Sequence, residues 1–303
     1  REIHDRRLLG LEPEPMTVVN ATSLQQALEA LRDHPGARLV QGGTDLMVEV
    51  NFNRTTLHDV VALRRVNELK RWHIAEDSQT IRLGAGIPYA EMERSPLCHH
   101  LPALAQAART VGSPQIRAAG SLGGNLGTCS PAGDGLPVLS ALDATVHLQS
   151  LDASRDLSIH EFMLGVKKNA RQPNEVIVAV TLPVLNGFQG YAKVGTRNAM
   201  VISAASVCVV HDALGGTIRV ALGAVAPTVV RTREAEAWLA SQTNLAAPLT
   251  VTPELAREFG RRAAAECSPI DDHRSTASYR RHAIAVLVER LLLRANDHGK
   301  SPR

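Results

Sequence analysis

Between Arg117 and Pro137 the chain reads RAAGSLGGNLGTCSPAGDGLP, with six glycines in 21 positions. A segment with so few apolar anchors needs either flexibility or a ligand to define its path. Its centre is Gly120-Ser121-Leu122-Gly123-Gly124-Asn125, and Asp134 follows nine residues later. A second glycine turn lies upstream, in Leu39-Val40-Gln41-Gly42-Gly43-Thr44-Asp45-Leu46, directly after a short apolar run. Glycine allows φ > 0 and lets a ligand approach the main chain. Successive N–H groups in such a turn converge into a concave anion site. Thr44, Ser121 and Asn125 add side-chain donors. One Gly-Gly after a strand reads equally as a tight turn. Two of them could hold two phosphates, or one pyrophosphate from both sides, which points to a dinucleotide. Neither turn follows G-x-G-x-x-G, and the P-loop signature is absent, so a dinucleotide site here has another design.

Other features narrow the class. With 303 residues, the chain allows one large domain or two to three small ones. The net charge of +3 comes without a long basic block, and aromatics are only 3%, which argues against nucleic acid as the main partner. No apolar run approaches the roughly 18 residues of a membrane span. The charged start, REIHDRRLLG, has no apolar h-region, so no secretory signal is expected. Cys98, Cys129, Cys208 and Cys267 form no Cys-x-x-Cys. They are expected to be reduced thiols in a cytoplasm, with Cys129 a small buried filler. The histidines form no ligand pattern, and His99 and His100 read as surface residues. No metal ligand and no catalytic residue is expected.

Periodicity sets the elements. Residues 1–15 read as an irregular arm. Strands are expected at 16–19, 37–40, 58–63, 176–182, 200–210 and 217–225, and a hairpin at 72–75 and 80–84. Ser23 should cap a helix buried through Leu24, Ala27, Leu28 and Leu31, stopped by Pro35-Gly36. Pro88 should open a short helix. Pro96 should start one with Leu101, Leu104, Ala105, Ala108 and Val111 on its buried face. Helices are expected at 231–240, at 253–266 and from about Ser275. A boundary is placed near Asn186-Gly187, followed by an α+β part.

The two turns resemble those of the FAD-binding medium subunit of molybdenum hydroxylases, the xanthine dehydrogenase and carbon monoxide dehydrogenase group. The likeness rests on 42–46, 121–125 and Ser130-Pro131-Ala132-Gly133-Asp134 in order and spacing. It extends to Gln115-Ile116-Arg117, Ala141-Leu142-Asp143-Ala144, Leu83-Gly84-Ala85-Gly86, Tyr191-Ala192-Lys193 with Arg197, and Tyr279-Arg280-Arg281-His282. It covers roughly 16–295. Family members often carry Asn where this chain has Ala118, and the cysteine cluster of an iron–sulfur insert is missing.

The resemblance implies an α+β fold: a two-subdomain FAD-binding domain of the p-cresol methylhydroxylase type over 16–186, divided near 68, and a smaller C-terminal α+β domain over 187–303. It implies that Val40, Gln41, Gly42, Gly43, Thr44, Asp45 and Leu46, with Gly120, Ser121, Gly123, Gly124 and Asn125, wrap the FAD pyrophosphate through main-chain N–H groups. Asp134 would accept from ribityl or ribose hydroxyls. Lys193 would sit near the flavin ring, with Tyr191 on the same strand face, and Leu182 would touch the flavin or adenine. The implied role is electron transfer between an iron–sulfur small subunit and an acceptor such as NAD or a quinone. A molybdenum-cofactor large subunit would perform the hydroxylation, in a dimer of heterotrimers. A self-contained flavin oxidoreductase, or a scaffold with a decayed flavin site, are the alternatives.

Overall fold

The computed structural model describes residues 16–298; the expected arm at 1–15 lies outside them. The first sheet joins β1 (Val18–Asn20), β2 (Arg38–Val40) and β3 (Val60–Ala62) in the parallel order β1-β3-β2. The helix Leu24–Asp33 closes this layer, with the Ser23 hydroxyl accepting from the Gln26 N–H at 3.2 Å as its N-cap. Its buried Ala27, Leu28 and Leu31 meet Val61, Leu63 and Leu69 in a small core.

The hairpin forms as β4 (Trp72–Ile74) and β5 (Thr80–Gly84). With β6 (Thr145–Gln149), β7 (Ser154–Ser158) and β10 (Val176–Pro183) it makes an antiparallel sheet of order β4-β5-β10-β6-β7. A two-stranded ribbon, β8 (Met163–Gly165) and β9 (Lys168–Asn169), stands beside it. β10 is buried at five of its first seven positions, as a central strand should be.

The expected helix from Pro96 is broken in two, Leu97–His100 and Pro102–Thr110. Pro102 has no N–H to continue a helix and takes an opening position instead. Leu101, Leu104 and Ala108 are buried as expected, Ala103 and Ala107 join them, and Ala105 and Val111 are only partly buried. The glycine-rich stretch differs most from expectation. It is helical, with helices Pro114–Ala119, Leu122–Thr128 and Gly135–Ala141 in close succession. Ser113 and Ser121 each cap the helix that follows, which offsets the poor helix propensity of glycine.

The last sheet, β11 (Phe188–Val194), β12 (Ala205–Asp212), β13 (Thr217–Gly223) and β14 (Val230–Arg231), is antiparallel. One face carries Tyr191, Cys208, Val210 and Ala221 into the core of the second sheet. The other carries Val207, Val209, Val220 and Leu222 onto helices Arg233–Gln242, Pro253–Ala265 and Ala277–His298. Both faces of β12 are covered, so its sequence is a nearly continuous apolar run. β12 begins at Ala205 and not at the expected Met200, because the carbonyls of Ala199, Met200 and Val201 are taken by Arg197 and Lys193. The two long helices touch at Gly260, where a Cβ would stand 2.3 Å from the Ala285 carbonyl oxygen. Gly260→Val is therefore expected to destabilise the chain by about 1–3 kcal/mol, read as a lower urea midpoint; an unchanged midpoint would show that the helices can part freely.

Candidate functional site

β2 runs straight into Gln41-Gly42-Gly43-Thr44-Asp45 and the helix Leu46–Asn51. Gly43 has φ +69°, the left-handed turn foreseen for it. Asp45 occupies the N-cap position without making a capping bond. The main-chain N–H groups of Gly42, Gly43, Thr44 and Asp45 find no acceptor among the described residues. Helix openings leave such donors free unless something caps them. Here they form an uncapped row of partial positive charge, suited to an anion.

The second segment packs directly on the first. A Cβ on Gly42 would lie 1.9 Å from the Ala119 carbonyl oxygen, so glycine is what lets the two main chains touch. Contrary to expectation, its N–H groups are spent except that of Ser121, which finds no acceptor among the described residues. Leu122 donates to Ile87 O at 3.3 Å, Gly123 to Ala85 O at 2.7 Å, Gly124 to Ser121 Oγ at 3.1 Å and Asn125 to Ser121 O at 3.1 Å. The helix that sequence reasoning missed uses them for capping and anchoring. Gly120, Ser121, Gly123, Gly124 and Asn125 still line the site, as a wall of close-approach main chain. A Cβ on Gly124 would meet only Ser121 Oγ, at 3.3 Å, so that surface is open. Asn125 Oδ1 accepts from Gly135 N–H at 3.2 Å and ties this wall to the next helix.

Between the segments lies a cleft of about 500 Å³, a size typical of cofactor sites. Val40, Gln41, Gly42, Gly43, Thr44, Asp45, Leu46 and Asp134 line it together with the second wall. Gln41 is half-buried: its Nε2 donates to Gly86 O at 3.4 Å, while its Oε1 is shielded from solvent and has no partner among the described residues. An acceptor left so costs stability unless a ligand donor reaches it. Tyr89, beneath Gly120, is buried, and that burial with the nearby Asp134 charge pushes its phenol far above the ordinary value. Burial pushes the Cys129 thiol up to about 11; it is an inert filler, as expected from its place.

Asp134 is buried at the floor. Its Oδ1 accepts from Tyr191 OH at 2.8 Å and Ser203 Oγ at 2.6 Å, and its Oδ2 from Lys193 Nζ at 2.6 Å and Thr110 Oγ1 at 3.5 Å. Burial and the Asp134 charge raise the Tyr191 phenol well above its usual value, so it stays a donor. Lys193 also donates to Thr110 O at 2.9 Å and Val201 O at 3.1 Å, which uses all three of its N–H bonds. Lys193 and Leu182 are the two expected site residues that are not brought to the cleft surface. The Lys193 ammonium is drawn behind the floor by Asp134. Leu182 is fully buried opposite Ile81, because alternation along β10 turns it inward.

Several lining residues escaped the sequence reading: Arg38, Tyr89, Lys167, Arg171, Val201 and Ile202. None of these six belongs to a glycine motif, whereas Gly86, Gly127 and Gly133, which also line the cleft, lie in segments the glycine pattern marked. Lys167, at the tip of the β8–β9 ribbon, reaches across to Glu49 and lies 4.0 Å from Asp45. Thr128 Oγ1 donates to Asp45 at 3.2 Å. The two walls are thus tied at the mouth. The hydrogen bond from Lys167 holds the Glu49 carboxyl below the ordinary carboxylate value. The tie is complete above that ordinary value and is lost as pH falls through the lowered one.

The chain matches the family model described as "FAD binding domain in molybdopterin dehydrogenase" over residues 14–185, and "CO dehydrogenase flavoprotein C-terminal domain" over 191–295. It is similar to the 6-hydroxypseudooxynicotine dehydrogenase complex subunit alpha of Paenarthrobacter nicotinovorans, at 30% identity over 94% of this chain and 96% of that one. It is also similar to the xanthine dehydrogenase FAD-binding subunit of Escherichia coli, at 27% identity over 91% and 94%. Among solved structures, carbon monoxide dehydrogenase from Hydrogenophaga pseudoflava, in a form lacking the Mo-pyranopterin moiety of its cofactor, superposes with a TM-score of 0.83 at 27% identity, covering 94% of this chain and 98% of that one.

Proposed function

The chain belongs to the FAD-binding family of molybdopterin dehydrogenases, and from that premise we propose that it is the electron-transfer subunit of a multi-subunit molybdenum hydroxylase. It takes electrons from iron–sulfur clusters of a small partner subunit and passes them to NAD, a quinone or a similar acceptor. A large subunit with the molybdenum cofactor hydroxylates the substrate, and the assembly is a dimer of heterotrimers. The relatives' names, one an FAD-binding subunit of xanthine dehydrogenase and the other a subunit of a dehydrogenase complex, support this reading. A cytoplasmic location belongs to it as well, in keeping with four cysteines that are all unpaired.

The observation that carries the reading is the row of free N–H groups at 42–45, set against the open Gly124 wall. The residues present fit FAD. The row would hold the pyrophosphate, and the unpartnered Gln41 Oε1 would accept from the nucleotide. Asp134 would receive a ribityl or ribose hydroxyl in place of Thr110, whose 3.5 Å bond is the longest of its four. Lys193 would act from behind the surface, by fixing the Asp134 carboxylate, and Leu182 belongs to the core beneath. FAD, when bound, supplies the acceptance and onward transfer of electrons. The division of the chain into 16–186 and 187–303 is part of this reading, supported by one core that lies wholly in the first part and one wholly in the second, while a third core is shared across the boundary.

A tagged chain recovered from its native host should carry FAD and bring down molybdenum and iron in stoichiometric amounts. Flavin without either metal would point to a self-contained flavoenzyme, and a colourless chain to a scaffold. Lys167→Ala should loosen the mouth and speed FAD loss about two- to threefold, the modest effect of an exposed ion pair. Flavin fluorescence released on dilution, compared at low and high salt, measures it; high salt should reduce the difference between variant and parent.

A further inference from the structure

We propose that Arg280 is a positioning residue of the flavin cleft, acting from the last helix through two carbonyl groups onto the Asp134 floor. This rests on the flavin reading above. Arg280 is buried, with its side chain 4% exposed, yet it lies outside the cleft. Its Nη1 donates to Ala204 O at 2.8 Å and to Ala224 O at 2.7 Å, and its Nη2 to Asp272 Oδ1 at 2.6 Å. Its Nε is buried without a partner among the described residues. A buried guanidinium is costly, and one left partly unsatisfied more so. A buried aliphatic side chain would meet no such cost, which makes the bonds Arg280 does form the features to explain.

Both carbonyls lead to the same place. Ala204 follows Ser203, whose hydroxyl donates to Asp134 Oδ1 at 2.6 Å, and Val201 and Ile202 just before it line the cleft. Ala224 donates its N–H to Pro131 O at 2.7 Å. Pro131 sits in the 130–134 loop, of which Ser130, Ala132, Gly133 and Asp134 face the cleft. Ala224 is held at φ +63°, an uncommon conformation for a residue with a Cβ. A clamp on its carbonyl accounts for its persistence. Arg280 therefore fixes the start of β12 and the end of β13 together, and through them two sides of the Asp134 floor. The fork geometry matters: two separate nitrogens of one planar group hold two carbonyls and a carboxylate, and a lysine, with a single nitrogen, cannot occupy both places.

The test compares FAD affinity, the visible flavin spectrum and far-UV circular dichroism in apo-chain reconstituted with FAD, for the parent, R280M, R280K, S203A and R280M/S203A. R280M is expected to fold with parental circular dichroism, to bind FAD roughly tenfold more weakly, as for a lost hydrogen bond to a charged group, and to shift the flavin band. R280K should fall between R280M and the parent. The double variant should be little weaker than R280M, because both changes cut the same path. A folded R280M with parental affinity and spectrum overturns the proposal, and so do R280M and S203A effects that simply multiply. If R280M does not fold, R280K decides alone: a folded R280K with parental affinity and spectrum is equally contrary. A parent chain that binds no FAD sinks the flavin reading itself, which is a separate result.

Discussion

Gly124→Val is expected to give a folded chain that leaves purification colourless. The position tolerates a side chain as far as the fold is concerned: only Ser121 Oγ comes within 4 Å of a Cβ there, at 3.3 Å. The first turn of its helix stays capped by Ser121. What an isopropyl group occupies instead is the cleft, where Gly124 forms part of the wall facing the free N–H row of 42–45. Overfilling a fitted space costs about 1–3 kcal/mol, so FAD binding should fall ten- to a hundredfold with circular dichroism unchanged. Its neighbour provides the contrast. A Cβ on Gly123 would lie 2.7 Å from both Cβ and O of Ala85, so Gly123→Val should damage folding and flavin retention together. FAD at normal occupancy in the Gly124 variant would show that the nucleotide does not run along this wall.

How much of this was legible in the sequence depends on whether a signal is local. The Ser23 cap, the Pro35-Gly36 stop and the 72–84 hairpin are each set by a few adjacent residues, and all three formed as read. The glycine segments were legible as close-approach main chain, because glycine has few other uses at such density. Their division of labour was not. Whether an N–H is free depends on where distant carbonyls fall, and Ala85 and Ile87, which take the N–H groups of Gly123 and Leu122, lie on another loop. The helices at 114–119 and 122–128 were missed for a related reason: glycines at such density argue against helix, and only the tertiary packing of that wall overrides them. Lys167 and Arg171 had no pattern to mark them, since a cation that reaches a cleft from a ribbon tip looks like any solvated charge.

Asp134→Ala tests the floor, and its expected effect is on stability as much as on flavin. The substitution strips the charge partner from Lys193 and leaves Tyr191 OH and Ser203 Oγ without their acceptor, all within buried surroundings. Removing one member of a buried ion pair costs about 3–5 kcal/mol, mostly the penalty of the charge left behind. Asp134→Asn should also be unstable, because one amide N–H must then face a donor. Replacing both members by apolar groups of similar size, in Asp134→Leu with Lys193→Met, should recover much of the loss, since no charge is then stranded. It should not recover FAD, because nothing remains at the floor to accept a nucleotide hydroxyl or to hold the 201–203 segment in place. Urea unfolding of the apo-chain and flavin titration of the same samples separate the two effects. A double variant as unstable as Asp134→Ala would mean that the Lys193 bonds to the Thr110 and Val201 carbonyls, and not the pairing of charges, hold the floor together.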